Sequence, residues 1–229
     1  MTLYFESVCT GNDHRSPIIE VITRRHLGNI NASGYDACSS GTLVDIIGSG
    51  VLPVDIMTPI IVRASARDDV YGAGEIDIIR QGLRAGDVDT LTPYFNRAVA
   101  MFTSEENGFR ERHLLNLGLN SQVKIGKDQT AVNPNAFAVF SADHANNRRV
   151  REMYAGKGYE LVSGNCISAV LVNGDHEVRV AVLGAYATND PSSEITSTFG
   201  MGEGNYKAII RLISEWTPIA IDRALRESF

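Results

Sequence analysis

The 229-residue sequence predicts an α/β fold, in which a central and mostly parallel sheet lies between helices on both faces in three layers. Short apolar runs of strand length alternate with helical patterns at both ends of the chain. The middle of the chain carries helical patterns without strands between them. We therefore expect one α/β domain over residues 1–229, with a helical insertion or cap at residues 43–135.

The beginning of the chain is predicted to form strand, helix and strand. An apolar run at residues 3–8 predicts the first strand, and residues 16–27 predict a helix because their isoleucines recur at helical spacing. Residues 35–39 predict a short second strand. The turn-like Ser40-Gly41-Thr42 is expected to close it.

Helices are expected through the middle of the chain, separated by breaks that contain glycine or aspartate, at residues 74–83, 92–102 and 105–117. The sheet is expected to resume at residues 136–140, which form a compact apolar run. Asp143 then has the residue type and position to cap a helix over residues 145–154.

The last third of the chain predicts a hairpin and a terminal helix. Residues 167–172 and 178–183 have strand character, and Asn173-Gly174-Asp175-His176 between them is typical of a hairpin turn. The apolar pattern after it predicts a helix over residues 203–228. Pro218 is expected to interrupt this helix, because proline lacks the N–H that a helix interior needs.

The composition is that of a globular protein, with 44% hydrophobic and 21% charged residues. The net charge of −6 argues against a nucleic-acid partner bound by general electrostatic attraction. No apolar run reaches membrane-spanning length, and the N-terminus lacks a secretory signal pattern, so we expect a cytoplasmic protein without a membrane partner. Cys9, Cys38 and Cys166 show no metal-ligand spacing and suit a reducing compartment.

A cysteine and an arginine flank the loop between the first strand and the first helix. Unpaired N–H groups and the dipole of a helix N-terminus favour an oxyanion there. Cys9 would be held as the nucleophilic thiolate, and Arg15 could bond two oxyanion oxygens at once. Gly11 and Asn12 tolerate the positive φ that a tight loop needs, and Ser16 can either cap the helix or donate to the thiolate. The loop therefore predicts attack by Cys9 on phosphorus.

Four separated segments carry a further pattern. Residues 8–20 contain the C-x5-R loop with its helix, and residues 39–42 form a Ser-Ser-Gly-Thr turn. Residues 140–146 end a strand with Asp-x-x-Asn, and residues 182–191 run from an apolar strand to Asp-Pro. In this order the segments resemble the low-molecular-weight protein tyrosine phosphatases. The resemblance implies that family's α/β fold and a hydrolase that needs no metal or cofactor.

The resemblance also implies residue roles. Cys9 would form a phosphocysteine intermediate, Arg15 would bind the phosphoryl oxygens, and Asp190 would protonate the leaving oxygen and then deprotonate water. The residues around the nucleophile would bind the substrate: Thr10, Gly11, Asn12, Asp13, His14 and Ser16. The substrate would be a phosphorylated protein or a small phosphomonoester, with phosphotyrosine as the family's typical group.

Several positions depart from the family's pattern. Asp13 places a carboxylate in the loop, His14 replaces a second cysteine, and Ser192-Ser193 stand where many members have aromatic residues. Two alternatives stay open. One is a phosphoarginine phosphatase in which Asp13 receives the guanidinium, and the other is a non-catalytic phosphate- or phosphoprotein-binding module. Arsenate reduction is disfavoured, because it needs a relay of further cysteines.

Overall fold

The computed structural model describes residues 2–12, 14–44, 52–119 and 131–227. The chain forms two compact units. The first unit contains Met1–Asp45, Ser121–Ser197 and Ile209–Phe229. The second unit contains Ile46–Asn120 and Thr198–Ala208.

The first unit is built on a six-stranded sheet of order β2-β1-β3-β6-β5-β4. Its strands are β1 (Leu3–Cys9), β2 (Tyr35–Gly41), β3 (Ala136–Ser141), β4 (Glu160–Gly164), β5 (Ser168–Asn173) and β6 (His176–Val182). Strand β1 pairs in parallel with β2 and β3, and β3 pairs in parallel with β6. Strands β5 and β4 add antiparallel pairings at one edge. The α/β class with a mostly parallel sheet is thereby confirmed.

Three helices and part of a fourth belong to the first unit, and each of the three comes after a strand in the chain. They are α1 (Arg15–Asn29), α5 (His144–Ala155), α6 (Leu183–Thr188) and the part of α7 (Glu203–Arg226) that begins at Ile209. The predicted cap of α5 is confirmed, because the Asp143 carboxylate accepts a hydrogen bond from the Asn146 N–H at 2.8 Å.

The position of β1 determines where a site can form. Strand β1 lies between two parallel neighbours, and its residues from Phe5 to Cys9 are buried. The carboxyl ends of β1, β2 and β3 therefore meet at one edge of the sheet, where open α/β sheets form their binding crevices. The loops after Cys9, Gly41 and Ser141 all leave the sheet at this edge.

The second unit is helical in its described residues, with α2 (Val54–Ser65), α3 (Ala73–Ala85) and α4 (Val88–Asn116). Buried side chains from all three helices share one core, among them Met57, Ile61, Ile79, Leu91 and Phe102. Helix α3 confirms the helix predicted at residues 74–83. Helix α2 was not predicted from the sequence.

Two predicted helix breaks are wrong. Helix α4 is continuous where two helices were expected, because Ala98, Phe102 and Glu106 stay buried at i, i+4 spacing across the expected break. Pro218 lies inside α7 without ending it. The neighbouring Thr217 and Ile221 are fully buried, so packing of this face outweighs the lost backbone hydrogen bond.

The hairpin prediction is confirmed, with β5 and β6 joined through the paired residues Asn173 and His176. Strand β6 ends at Val182 and not at Leu183, which begins α6. Strand β4 was missed because all five of its residues are exposed, so it lacks the alternating burial pattern of a half-buried strand. Among the described residues, no helix combines the length and the apolar character that crossing a membrane requires.

Candidate functional site

The candidate site is the loop that connects β1 to α1. Cys9 is the last residue of β1, and α1 begins at Arg15. Asn12 is fully buried and has a φ of 56°, so the loop uses a left-handed residue as the sequence predicted. Thr10, Gly11 and His14 are half-buried, and Asp13 lies outside the described residues.

The end of β2 forms one wall of this loop. A methyl group at Gly41 would lie 2.8 Å from the Thr10 carbonyl oxygen and 3.0 Å from the Asn12 nitrogen, so only glycine allows this approach. The Thr42 N–H donates to the Cys9 carbonyl at 3.0 Å, and the Leu43 N–H donates to the Thr10 carbonyl at 3.0 Å. The loop is therefore fixed by backbone contacts with β2 and the turn that follows it.

The Cys9 thiol is buried and contacts a hydroxyl. Its Sγ lies 3.0 Å from Ser16 Oγ, and its residue is 3% exposed. Ser16 Oγ also lies 3.0 Å from Asn12 Oδ1 and 3.2 Å from the Ser40 carbonyl oxygen. Ser16 is the second residue of α1 and not its cap, which is His14. Of its two possible roles, the structure supports contact with the thiol.

Arg15 is held by two acceptors on one nitrogen. Its Nη1 donates to Asp143 Oδ2 and to the Ile195 carbonyl oxygen, each at 2.6 Å. The side chains of Arg15 and Asp143 are 9% and 17% exposed, so this is a buried ion pair. Burial acts to raise the pKa of Asp143, but the Arg15 charge and hydrogen bonds from Arg15 and Asn146 outweigh it and lower that pKa.

Asn146 connects the loops that follow the three strands. Its Nδ2 donates to both oxygens of Asp143, at 2.9 and 2.8 Å, and its Oδ1 accepts from Thr42 Oγ1 at 2.7 Å. Its Oδ1 also lies 3.5 Å from Thr10 Oγ1. The sequence identified Asp143 as a helix cap and as part of the Asp-x-x-Asn segment, but it did not predict the pairing of Asp143 with Arg15. The sequence did carry a signal for this pairing, because Asp143 is an acidic residue that follows the strand predicted at residues 136–140.

Asp190 lies in the loop after α6, and its side chain is exposed. Its Oδ1 accepts from the Ser192 N–H and Oγ, both at 2.9 Å, and its Oδ2 accepts from Ser193 Oγ at 3.3 Å. The Ser192 N–H and then the Ser192 hydroxyl are the main causes of a lowered Asp190 pKa. The described contacts of this carboxylate lie within its own loop, and the structure does not bring it into contact with Cys9.

The loop that carries Asp190 is attached near Arg15 at two points. His144 Nε2 lies 2.7 Å from the Pro191 carbonyl oxygen, so Nε2 carries the proton of this bond. The Ile195 carbonyl accepts from Arg15, and the Ile195 N–H donates to the Ala142 carbonyl at 2.8 Å. The segment from Pro191 to Ile195 therefore borders the candidate site. Within the described ranges, no group of three or more histidine, cysteine, aspartate or glutamate side chains could hold a metal ion.

Comparison with known proteins gives a structural similarity only. No protein-family model matches the sequence, and no curated protein matches it. A low-molecular-weight phosphotyrosine phosphatase from Vibrio cholerae is 14% identical, with 99% of each chain covered and a TM-score of 0.51. The structure of Primo-1 is 12% identical, with 97% of each chain covered and a TM-score of 0.50.

A protein tyrosine phosphatase from Entamoeba histolytica is also similar, at 11% identity, with 100% of each chain covered and a TM-score of 0.49. Identities this low show a shared fold alone. The similarity to the Vibrio cholerae phosphatase, at a TM-score of 0.51, shows that the chain has an α/β fold similar to that of the low-molecular-weight phosphotyrosine phosphatases.

Proposed function

We propose that this protein is a cysteine-dependent phosphomonoester hydrolase of the protein tyrosine phosphatase type, acting on a phosphorylated protein or a small phosphomonoester. One observation carries the proposal. A buried thiol, Cys9, lies 3.0 Å from the Ser16 hydroxyl at the base of a tight loop that ends at the N-terminus of a 15-residue helix, and Arg15 stands at the other end of the loop. This arrangement combines a nucleophile with an oxyanion site.

The proposed reaction has two steps. The Cys9 thiolate attacks phosphorus, an S–P bond forms, and the ester P–O bond breaks while the proton of Asp190 goes to the leaving oxygen. Water then attacks phosphorus and gives its proton to the Asp190 carboxylate. The S–P bond breaks, and Cys9 returns as the thiolate with inorganic phosphate as the product. The Ser16 hydroxyl has one proton and three acceptors within reach, which are Cys9 Sγ, Asn12 Oδ1 and the Ser40 carbonyl oxygen. We assign this proton to Cys9 Sγ whenever the sulfur is a thiolate, in both the starting and the final state.

Arg15 is oriented by its fixed acceptors. Because Nη1 donates to both Asp143 and the Ile195 carbonyl, the plane of the guanidinium is set before a substrate binds. We assign the Nε and Nη2 donors to two oxygens of the phosphoryl group. This bidentate geometry is available to arginine and not to lysine.

Hydrolysis of p-nitrophenyl phosphate by the purified full chain tests the proposal. We expect turnover, inactivation when iodoacetamide alkylates Cys9, and protection of Cys9 by inorganic phosphate. The Cys166→Ser variant is the matched control, because Cys166 is exposed and its loss should leave turnover unchanged. A protein that shows no turnover at any pH, although phosphate protects Cys9, would instead be a phosphate-binding module.

The role of Asp190 is tested by its pH dependence. Asp190→Asn should slow turnover by about 100-fold if this carboxyl is the acid. An acid must be protonated to act, so activity declines as pH rises through its pKa. The Ser192 hydroxyl lowers that pKa, and Ser192→Ala should therefore move the decline in kcat/KM to higher pH.

Ser193→Ala is the control for this experiment, since Ser193 makes one longer bond of 3.3 Å and should shift the profile less. An unchanged pH profile in Ser192→Ala, together with full activity in Asp190→Asn, would exclude Asp190 as the acid.

A further inference from the structure

A glutamate is buried in the sheet directly beneath the candidate site. Glu6 lies on β1, three residues before Cys9, and is fully buried. Its Oε1 accepts from Ser40 Oγ at 2.5 Å, and its Oε2 accepts from the Asn133 N–H at 3.1 Å. Burying a carboxylate is costly unless it is hydrogen-bonded, so these donors hold Glu6 in a specific place.

The surroundings of Glu6 include a strained residue. Val132 has a φ of 89°, which a β-branched side chain rarely adopts, and it directly precedes Asn133, whose N–H donates to Glu6. Burial raises the pKa of Glu6, although hydrogen bonds from Ser40, Asn133 and Val132 oppose the rise. An unfavourable backbone conformation next to a buried acid indicates that the surrounding structure holds this acid in a defined position.

Ser40 connects this acid to the nucleophile. Its hydroxyl donates to Glu6, and its carbonyl oxygen lies 3.2 Å from the Ser16 hydroxyl, which contacts Cys9 Sγ. The next residue, Gly41, makes the closest approach of β2 to the loop. A shift of Ser40 would therefore move the Ser16 hydroxyl, which contacts the thiol, and would also move Gly41, which packs against the loop.

The neighbouring serine repeats this arrangement. Ser39 Oγ donates to Glu20 Oε2 at 2.6 Å, and the Ser39 carbonyl accepts from Asn12 Nδ2 at 3.2 Å. Each of two consecutive serines thus donates its hydroxyl to a buried glutamate and accepts at its carbonyl, Ser39 from Asn12 of the loop and Ser40 from Ser16 at the start of α1. Both serines therefore hold the end of β2 against the loop and the start of α1.

We propose that Glu6 is a positioning residue for the Cys9 nucleophile and acts on it through Ser40 and Ser16. This inference rests on the proposed function, in which Cys9 is the attacking group. Glu6 itself touches neither the thiol nor a substrate. Its contribution is to fix Ser40 and, through the contact of the Ser40 carbonyl with Ser16 Oγ, the position of the Ser16 oxygen, whose single proton goes to Cys9 Sγ when Cys9 is a thiolate.

Variants of Glu6 and Ser40 test this proposal. Glu6→Met removes both acceptors, whereas Glu6→Gln keeps one oxygen for the Ser40 hydroxyl and loses the acceptor for the Asn133 N–H. Ser40→Ala removes only the donor. Thr217→Val is the matched control, because Thr217 is fully buried and its hydroxyl bonds within α7 to the Ile213 carbonyl. The readouts are the rate of Cys9 alkylation by iodoacetamide at neutral pH, kcat and KM for p-nitrophenyl phosphate, and Tm.

The two interpretations of Glu6 predict opposite changes in alkylation. If Glu6 positions the nucleophile, Glu6→Met and Ser40→Ala should each slow alkylation and lower kcat by about tenfold, with KM little changed. Glu6→Gln should recover most of the rate, and the double variant Glu6→Met/Ser40→Ala should be no slower than either single variant. If Glu6 only stabilises the sheet, a loosened structure should expose the buried thiol and speed its alkylation.

The proposal is overturned if Glu6→Met lowers Tm as Thr217→Val does but leaves alkylation unchanged or faster. Should Glu6→Met not fold, Ser40→Ala and Glu6→Gln decide the matter by the same readouts. If the wild-type protein hydrolyses no phosphomonoester but the alkylation rates follow the expected order, the proposed function fails while the positioning of Cys9 by Glu6 stands.

Discussion

Replacing Cys9 by serine is expected to lower the rate of p-nitrophenyl phosphate hydrolysis by roughly 10⁴-fold or more. A serine hydroxyl ionises far less readily than a thiol, so a hydrogen bond from Ser16 cannot make it a comparable nucleophile. The other two cysteines lie outside the loop of Cys9: Cys38 is on β2, and Cys166 is exposed. The measurement is steady-state turnover at matched protein concentration.

The binding of inorganic phosphate separates loss of chemistry from loss of structure in this variant. Cys9→Ser should keep the affinity for phosphate and the Tm of the wild type, because the loop backbone and Arg15 are unaltered. Cys38→Ser should retain turnover as a second control. Undiminished hydrolysis by Cys9→Ser would contradict the assigned nucleophile.

Replacing Arg15 by alanine is expected to reduce both activity and stability. Loss of the guanidinium should lower kcat/KM by about 1000-fold, since it removes the main positive charge from the phosphoryl site. It also leaves the Asp143 carboxylate buried without its cation, which should lower the free energy of unfolding by about 3 to 5 kcal/mol. Arg15→Lys should keep part of the stability but little of the activity, because lysine cannot bond Asp143 and two phosphoryl oxygens in one plane.

The pH dependence of unfolding checks the cause of this instability. In the wild type the pKa of Asp143 is lowered below its ordinary value of 3.8, so its contribution is present above that pH and is lost as the pH falls through the lowered pKa. In Arg15→Ala, burial should instead raise the pKa of Asp143. The destabilisation should then be largest near neutral pH and shrink at acid pH, where the buried carboxyl is protonated.

Urea unfolding at about pH 7 and about pH 4 measures the effect. The double variant Arg15→Ala/Asp143→Asn should recover stability at neutral pH without recovering activity. An equal loss of stability at both pH values would show that the ion pair is not its source.

Local patterns predicted the elements that carry the site. The strand, loop and helix around Cys9 follow one another within 27 residues, so short-range signals describe them well. The hairpin of β5 and β6 was predicted for the same reason, because its turn residues lie between the two strands. Ser16 was predicted either to cap α1 or to donate to the thiolate; the cap is His14, and Ser16 Oγ lies 3.0 Å from Cys9 Sγ.

The missed features depend on neighbours that are distant in sequence. Arg15 and Asp143 are 128 positions apart, and Glu6 and Asn133 are 127 apart, so no local pattern shows either contact. Glu6 is a polar residue in a strand whose sequence alone gives it no partner. The helical segment at Pro218 was misjudged because burial of its neighbours outweighs an unfavourable local residue.

The central claim is that Cys9 becomes phosphorylated during turnover. Rapid acid quenching of the wild-type protein with p-nitrophenyl phosphate, followed by peptide mass spectrometry, measures this directly. We expect a phosphoryl group on the peptide that contains Cys9, at a level that rises within the first turnover, and none on this cysteine when phosphate alone is added at the quench. Asp190→Asn should retain the modification and clear it more slowly. Steady hydrolysis without phosphorylated Cys9, or with the phosphoryl group on another residue, would contradict the account.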